Sequence, residues 1–372
     1  MSLAALDELA LLLRPAGQGL YLVSTGRAEQ ARLVRRLYRA DDDATVDARF
    51  RAALAAVPQA KGVLLGIPSD VGAGFRRGAN LAPQAIRQAL LDTDPDWPER
   101  CTELGVVDLG DVFVVPQLLH DEMLSEAQLA RARRALYPQL ADADAAELPV
   151  SPLSIAERAL DLVFAMNPRA LPFAIGGDHS TALPVVTALA RVRASFGIVQ
   201  PDAHTDLLAE RLGVTRCFAT WSYHANELLG RGGRLVQVGT RASRFDRAHW
   251  ESSLDVRQFW ADECRARPAE TLDAIVAHLR ATDVQGVYFS NDIDGTDEEW
   301  ADATGTPEPL GLEPEWVVEL IRRLGREVGL IGGDLMEVAP PLGRDGSGAR
   351  TVALGARYLR ETIFAALATP TA

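Results

Sequence analysis

The chain has 372 residues, 48% of them apolar and 24% charged, and carries a formal charge of −13. That acidic balance disfavours nucleic acid and anionic membranes as partners. No apolar run reaches the length of a membrane span, and no basic leader precedes an apolar core at the N-terminus, so the expected compartment is the cytoplasm. Three cysteines without paired spacing, Cys101, Cys217 and Cys264, argue for reduced thiols.

Residues 1–60 read as a helical extension. Ala31, Leu33, Val34 and Leu37 suit one helix over 28–38, and Asp41-Asp42-Asp43 reads as a solvated connection. The main domain, 61–372, opens with a strand at 62–67, a helix with Pro83 in its first turn and a strand at 105–109. Residues 116–150, with Arg131, Arg133 and Arg134 on an alanine-rich stretch, read as a helical insertion with a solvated face. Ser154 and Glu157 form a capping box for a helix through Met166 that Asn167-Pro168 closes. Short apolar strands follow at 171–175, 194–199, 235–238, 287–290 and 329–331, with helices near 181–192, 269–280 and 313–326. The alternation predicts an α/β fold, a three-layer α-β-α sandwich with a mainly parallel central sheet. Ligands of such sheets collect beyond the carboxyl ends of the strands.

Three words of sequence stand at those ends. Asp202-Ala203-His204-Thr205-Asp206 and Asp292-Ile293-Asp294 each follow an apolar run, and Gly176-Gly177-Asp178-His179-Ser180 ends another. Alternate side chains of an extended segment share a face, so Asp202, His204 and Asp206 can converge, as can Asp292 and Asp294. Bridging carboxylates are what a pair of dications about 3.5–4 Å apart requires. Imidazole mixed with carboxylate suits Mn, Zn, Ni or Fe better than Ca or Mg. Taken alone, each word also fits a capped turn. Only six histidines occur, yet two lie inside these words and a third, His224, lies just downstream.

These words, with Ser290 to Asp297 and Gly333-Asp334-Leu335-Met336-Glu337-Val338, resemble the ordered motifs of the ureohydrolases, the arginase and agmatinase family. Upstream, Gly66 to Asp70, Arg77-Gly78-Ala79, Pro83 to Arg87 and Asp108 to Val112 are similar to the family's opening segments, and the resemblance runs from about residue 61 to 366. It implies an arginase-like sandwich and a ureohydrolase catalytic domain over 61–372. One metal would be held by His179, Asp202, Asp206 and Asp292, the second by Asp202, His204, Asp292 and Asp294. Two divalent transition-metal ions are implied, Mn first and Ni next. A water between them would be the nucleophile, oriented by Asp206, attacking a guanidinium carbon to give urea and an amine. Glu337 is similar to the family's acid that pairs with the guanidinium, Asp334 would support it in binding substrate, and His224 would shuttle the proton to the leaving amine.

Substrate identity stays open at this stage. The stretch 207–230, with Arg211, Arg216, Cys217 and Thr220, matches neither the arginine-specific nor the agmatine-specific version of the family. Glu298 stands where proline is common, Ala82 where glycine precedes Pro83, and Leu310 where glycine is frequent; Leu310 is expected to narrow the pocket mouth. Agmatine, guanidinobutyrate and free guanidine compete as small cationic guanidino substrates, with arginase or formimidoylglutamase activity as the alternative. A catalytically silent metal-bound scaffold or sensor is a further reading, opposed by the complete set of six ligand-type residues plus Glu337. A phosphoesterase would ask for more basic residues near the motifs. The resemblance also implies a homo-oligomer, a trimer or hexamer, with the extension as an arm between subunits.

Overall fold

A computed structural model describes residues 4–368. Its centre is a nine-stranded sheet: β1 (Leu13–Arg14), β2 (Gly62–Gly66), β3 (Val106–Val112), β4 (Leu171–Ile175), β5 (Gly197–Pro201), β6 (Leu235–Thr240), β7 (Arg257–Trp260), β8 (Val287–Asp292) and β9 (Leu330–Met336). The spatial order is β1-β3-β2-β4-β9-β8-β5-β6-β7, and every pairing is parallel except β1 with β3. Parallel strands are covered on both faces because each crossover carries its helix back over the sheet.

The two faces follow from alternation along the strands. On β2, Val63 and Leu65 enter one core and Leu64 the other; on β5, Ile198 and Val199 divide the same way. The first core takes Leu160 and Val163 of the helix Pro152–Met166, Val185 and Leu189 of Ala182–Ala190, and Trp221 of Trp221–Leu228. The second takes Ile86 and Leu90 of Ala82–Thr93, Ile275 of Pro268–Ala281, Val317 and Ile321 of Pro314–Glu327, and Leu359 of Ala349–Leu367. Helix, sheet and helix make the three layers that the alternation predicts.

Several details differ from the sequence-based expectation. The capping box at Ser154 does not form: the helix starts at Pro152, whose missing N–H suits a first-turn position, and Ser154 Oγ instead accepts from the Asp121 amide at 3.1 Å. β5 begins at Gly197 rather than Ala194 and runs on to Pro201. Two strands, β1 and β7, add to the expected set. Residues 4–60 hold the helices Ala5–Leu12, Arg27–Leu37 and Asp43–Ala55, and β1 as well. They join the main core through Leu9, Leu12, Leu13, Phe50 and Leu54. Asp111 on β3 ties the segment down by accepting from the amides of Gly17 (2.8 Å) and Gly19 (3.2 Å).

Candidate metal centre

Four adjacent strands, β4, β9, β8 and β5, end at one place, and the loop after each brings a polar word to it. β4 leads through Gly176-Gly177 to His179. A Cβ on Gly177 would run into the Ser69 carbonyl, so glycine lets the two loops close together. Asp178 caps the short turn His179–Thr181 by accepting from the Ser180 amide at 2.9 Å, and this turns the His179 ring inward. β5 delivers Asp202, His204 and Asp206; β8 delivers Asp292 and, one short turn on, Asp294; β9 delivers Glu337.

These side chains meet. His179 Nδ1 lies 3.0 Å from Asp292 Oδ2, 3.4 Å from Asp202 Oδ2 and 3.8 Å from Asp206 Oδ2. His204 Nδ1 lies 3.1 Å from Asp294 Oδ2 and 3.6 Å from Asp202 Oδ1. Two groups with metal-ligand spacing result, His179 with Asp202 and Asp206, and Asp202 with His204 and Asp294, sharing Asp202. Asp292 joins them through its contact with His179, while its other oxygen accepts from the Asp294 amide at 2.9 Å. All six residues predicted as ligands therefore surround one spot.

The donor set fits a pair of cations. Ser290 Oγ gives its proton to Asp334 (3.0 and 3.1 Å) and so receives His179 Nε2–H at 3.1 Å. That leaves the lone pair of a neutral His179 Nδ1 aimed among three carboxylates, an arrangement that a cation resolves. Burial, and then neighbouring carboxylates, push Asp206 and Asp292 well above the usual range. Burial opposes the charge on His204, yet Asp294 and Asp202 outweigh it and raise its pKa to about 12. Without metal, protons take the place of the missing positive charge.

Residues that the sequence reading did not single out hold this cluster. Trp221, fully buried, stacks on the His179 ring with centroids 4.3 Å apart and donates its indole N–H to Asp206 Oδ2 at 3.1 Å. Thr306 Oγ1 donates to Asp294 Oδ2 at 3.1 Å. Gln200 Nε2 donates to Asp202 Oδ2 at 2.7 Å and starts a line across the sheet. Gln237 Nε2 donates to Gln200 Oε1 (2.9 Å), Gln258 Nε2 to Gln237 Oε1 (2.8 Å), and Trp260 Nε1 to Gln258 Oε1 (2.9 Å). The three glutamines are register partners on β5, β6 and β7 and are fully buried. Their signal in the sequence is a glutamine at a buried position of each strand, since a buried amide must find partners.

Glu337 stands beside the cluster. Its Oε1 accepts from the His179 amide at 3.0 Å, and it borders a small cavity of about 90 Å³. Burial, and then Asp178, raise its pKa well above the ordinary value, and no Lys, Arg or His side chain pairs with it among the described residues. Asp206 and Glu337 both hold positive φ, 52° and 62°, a conformation that costs a non-glycine residue on the order of 1–3 kcal/mol and gathers at functional sites. Asp334 does not line the cavity. It accepts from Ser290 and from the Asn291 amide at 3.2 Å, one hydrogen bond behind His179, and burial raises its pKa to about 6. His224 sits on the helix Trp221–Leu228, edge-on to Tyr223 at 5.3 Å, with Nε2 buried and unpaired; it belongs to neither ligand group. Leu310 does not narrow the mouth as expected: it is 66% exposed, away from the cavity lining, and its φ of 60° explains why glycine suits that loop.

Known proteins share this architecture. The guanidinobutyrase of Pseudomonas aeruginosa is 30% identical over 307 residues, covering 80% of this chain and 84% of its own. The mitochondrial agmatinase of Gallus gallus is 31% identical over 310 residues, covering 80% and 79%. The agmatine ureohydrolase of Thermoplasma volcanium superposes with a TM-score of 0.61 at 25% identity, covering 83% of this chain and 91% of its own. The model of the arginase family matches residues 60–365. By that match, which takes in all four strand ends and every residue of the cluster, the chain belongs to the arginase family of metal-dependent hydrolases that act on amidine and guanidine C–N bonds.

Proposed function

We propose that the protein hydrolyses a small guanidino compound to urea and an amine, using two divalent transition-metal ions, Mn or Ni. The observation that carries this reading is Glu337. A buried carboxylate with no cationic partner among the described residues borders a small cavity beside the aspartate and histidine cluster, as recognition of a guanidinium requires. Relatives named for guanidinobutyrate and agmatine support the substrate class.

In this reading His179, Asp202, Asp206 and Asp292 would hold one ion, and Asp202, His204, Asp292 and Asp294 the other. Bound there, the ions would supply a water acidic enough to act as hydroxide at neutral pH and positive charge beside the reacting carbon. Glu337 binds the guanidinium in paired hydrogen bonds and sets its carbon over the attacking oxygen. Asp206, its Oδ2 already fixed by Trp221, accepts a hydrogen bond from the water and orients it. Asp334, through Ser290, holds His179 in the tautomer that presents Nδ1. The water adds to carbon, the C–N bond to the chain breaks, and the departing nitrogen takes a proton. A guanidinium and water thus become urea and an alkylammonium, with charge conserved. His224 is the proposed carrier of that proton.

Urea release, measured across guanidino compounds with Mn and Ni each supplied, tests the proposal. Glu337→Gln is expected to lower kcat/KM on the order of 10²-fold with metal content unchanged. Formamide from an N-formimino substrate in place of urea would overturn the reading, as would phosphate release alone. Full turnover by His224→Ala would remove that residue from the scheme.

A further inference from the structure

The cavity at Glu337 is lined by groups of opposite charge. Glu337 and Thr306, the residue bonded to Asp294, share its lining with Arg76, Arg211 and Phe218. Two arginines and a carboxylate thus face one small space without being paired to each other. Neither arginine side chain has a hydrogen bond or an ion pair among the described residues. The adjacent Arg77 donates to the Asp70 carbonyl at 2.7 Å, and Arg216, in the same loop as Arg211, pairs with Glu122 at 3.0 Å.

Arg211 is nevertheless held in place. Its guanidinium lies 4.9 Å over the Phe218 ring, Phe218 donates its amide to the Gly72 carbonyl at 3.1 Å, and Gly74 lies against that same ring. Aromatic stacking fixes an arginine while leaving all its N–H groups free. The space above Gly305 lies between the Arg76 carbonyl and Glu337 Oε2. One short segment therefore separates the Arg76 backbone from the carboxylate that takes the guanidinium.

We propose that Arg76 and Arg211 bind a carboxylate at the far end of the substrate, so that this enzyme prefers short ω-guanidino acids to guanidino amines. The inference rests on the guanidino reading above and adds the chemistry of the tail. A molecule with a cation at one end and an anion at the other complements a pocket lined by one acid and two arginines. An ammonium tail meets two like charges, which disfavour it. An α-amino acid tail brings its ammonium to the same place.

The test compares urea release from 3-guanidinopropanoate, 4-guanidinobutanoate, agmatine and propylguanidine by metal-loaded full-length protein. Propylguanidine, with no charge on its tail, reports the guanidino reading by itself. The expected kcat/KM for the better guanidino acid exceeds that for agmatine on the order of 10²-fold. Arg76→Ala and Arg211→Ala each lower the ratio of guanidino acid to propylguanidine by about tenfold or more, mainly through KM, and Arg211→Lys restores part of it. Arg211→Glu moves preference toward agmatine. Thermal unfolding midpoints close to that of the parent protein show that the variants fold. Agmatine equal to or better than both acids, with propylguanidine turned over, overturns the carboxylate reading and leaves the guanidino reading standing. An acid-to-propylguanidine ratio that neither alanine variant moves overturns it as well. No urea from any of the four compounds overturns both.

Discussion

Trp221 shows how much of a candidate metal centre depends on a side chain outside its ligand-type residues. It meets two of the ligand-type residues at once, the ring of His179 by stacking and the carboxylate of Asp206 by hydrogen bonding. Trp221→Phe keeps most of the stacked surface and removes the N–H. The expected result is metal affinity lower by about 10- to 100-fold with secondary structure intact, checked by titrating the metal-free protein calorimetrically. His120 gives a prediction about acid. Its Nδ1 accepts from the Glu122 amide at 3.2 Å, which only an unprotonated nitrogen can do. Burial first and Arg216 second lower its pKa from 6.5, against the opposing pull of Glu122, Asp121 and Glu157. As pH falls through 6.5 the unfolded chain binds the proton before the folded one does, so the contribution of His120 to stability is full above 6.5 and declines below it. Denaturant unfolding between about pH 8 and pH 5.5 should show a shallower decline for His120→Gln than for the parent; equal slopes would contradict this.

At the scale of elements, the glutamine line across β5, β6 and β7 joins the aspartate and histidine cluster to the edge of the sheet. Gln237 is its centre and also donates to the Thr205 carbonyl at 2.6 Å, next to Asp206. Gln237→Leu leaves that carbonyl and the Gln258 amide without their partner. It is expected to cost about 1–3 kcal/mol in urea denaturation, since orphaned buried groups lose their desolvation energy without return. A second buried network, at the other side of the sheet, centres on Arg87. It donates to Asp108 (2.8 and 2.9 Å) and to Asp111 (2.5 Å), and Asp111 in turn holds Gly17 and Gly19. Arg87→Met strands a buried carboxylate and should lower stability by about 3–5 kcal/mol in guanidinium chloride unfolding.

The elements that the sequence reveals and those that it hides differ for physical reasons. β2, β4 and β8 are legible because each is an apolar run bounded by glycine or by a charged word. β7, Arg-Gln-Phe-Trp at the sheet edge, has no such run, and β1 is two residues whose pairing depends on a partner nearly a hundred positions away. Within the site, ligand-type residues are legible because aspartate and histidine at strand ends are chemically specific words. Trp221 is not, since a tryptophan opening a helix reads equally well as core, and neither are Arg76 and Arg211 as a pair, because only the fold brings two separated loops to one cavity. Asp334 stands out in the sequence as an acid near Glu337, but its hydrogen bonds to Ser290 and Asn291, off the cavity lining, appear only once β8 and β9 are paired.

For the whole molecule, the cluster at the ends of β4, β9, β8 and β5 concentrates like charge at the middle of the sheet, and the energy of filling it is shared with folding. Chelation should therefore abolish urea release and also lower the thermal midpoint, with both recovering on return of Mn or Ni; an unchanged midpoint would separate the cluster from the stability of the fold. No helix among the described residues is long and apolar enough to cross a membrane. The indole lying flat against His179 has an optical consequence. Of the six tryptophans in the chain, Trp221 is the one in face-to-face contact with a ring of the ligand cluster. Its emission is therefore expected to change as the centre fills and to dim with a paramagnetic ion, which a fluorescence titration of the metal-free protein with Mn would check.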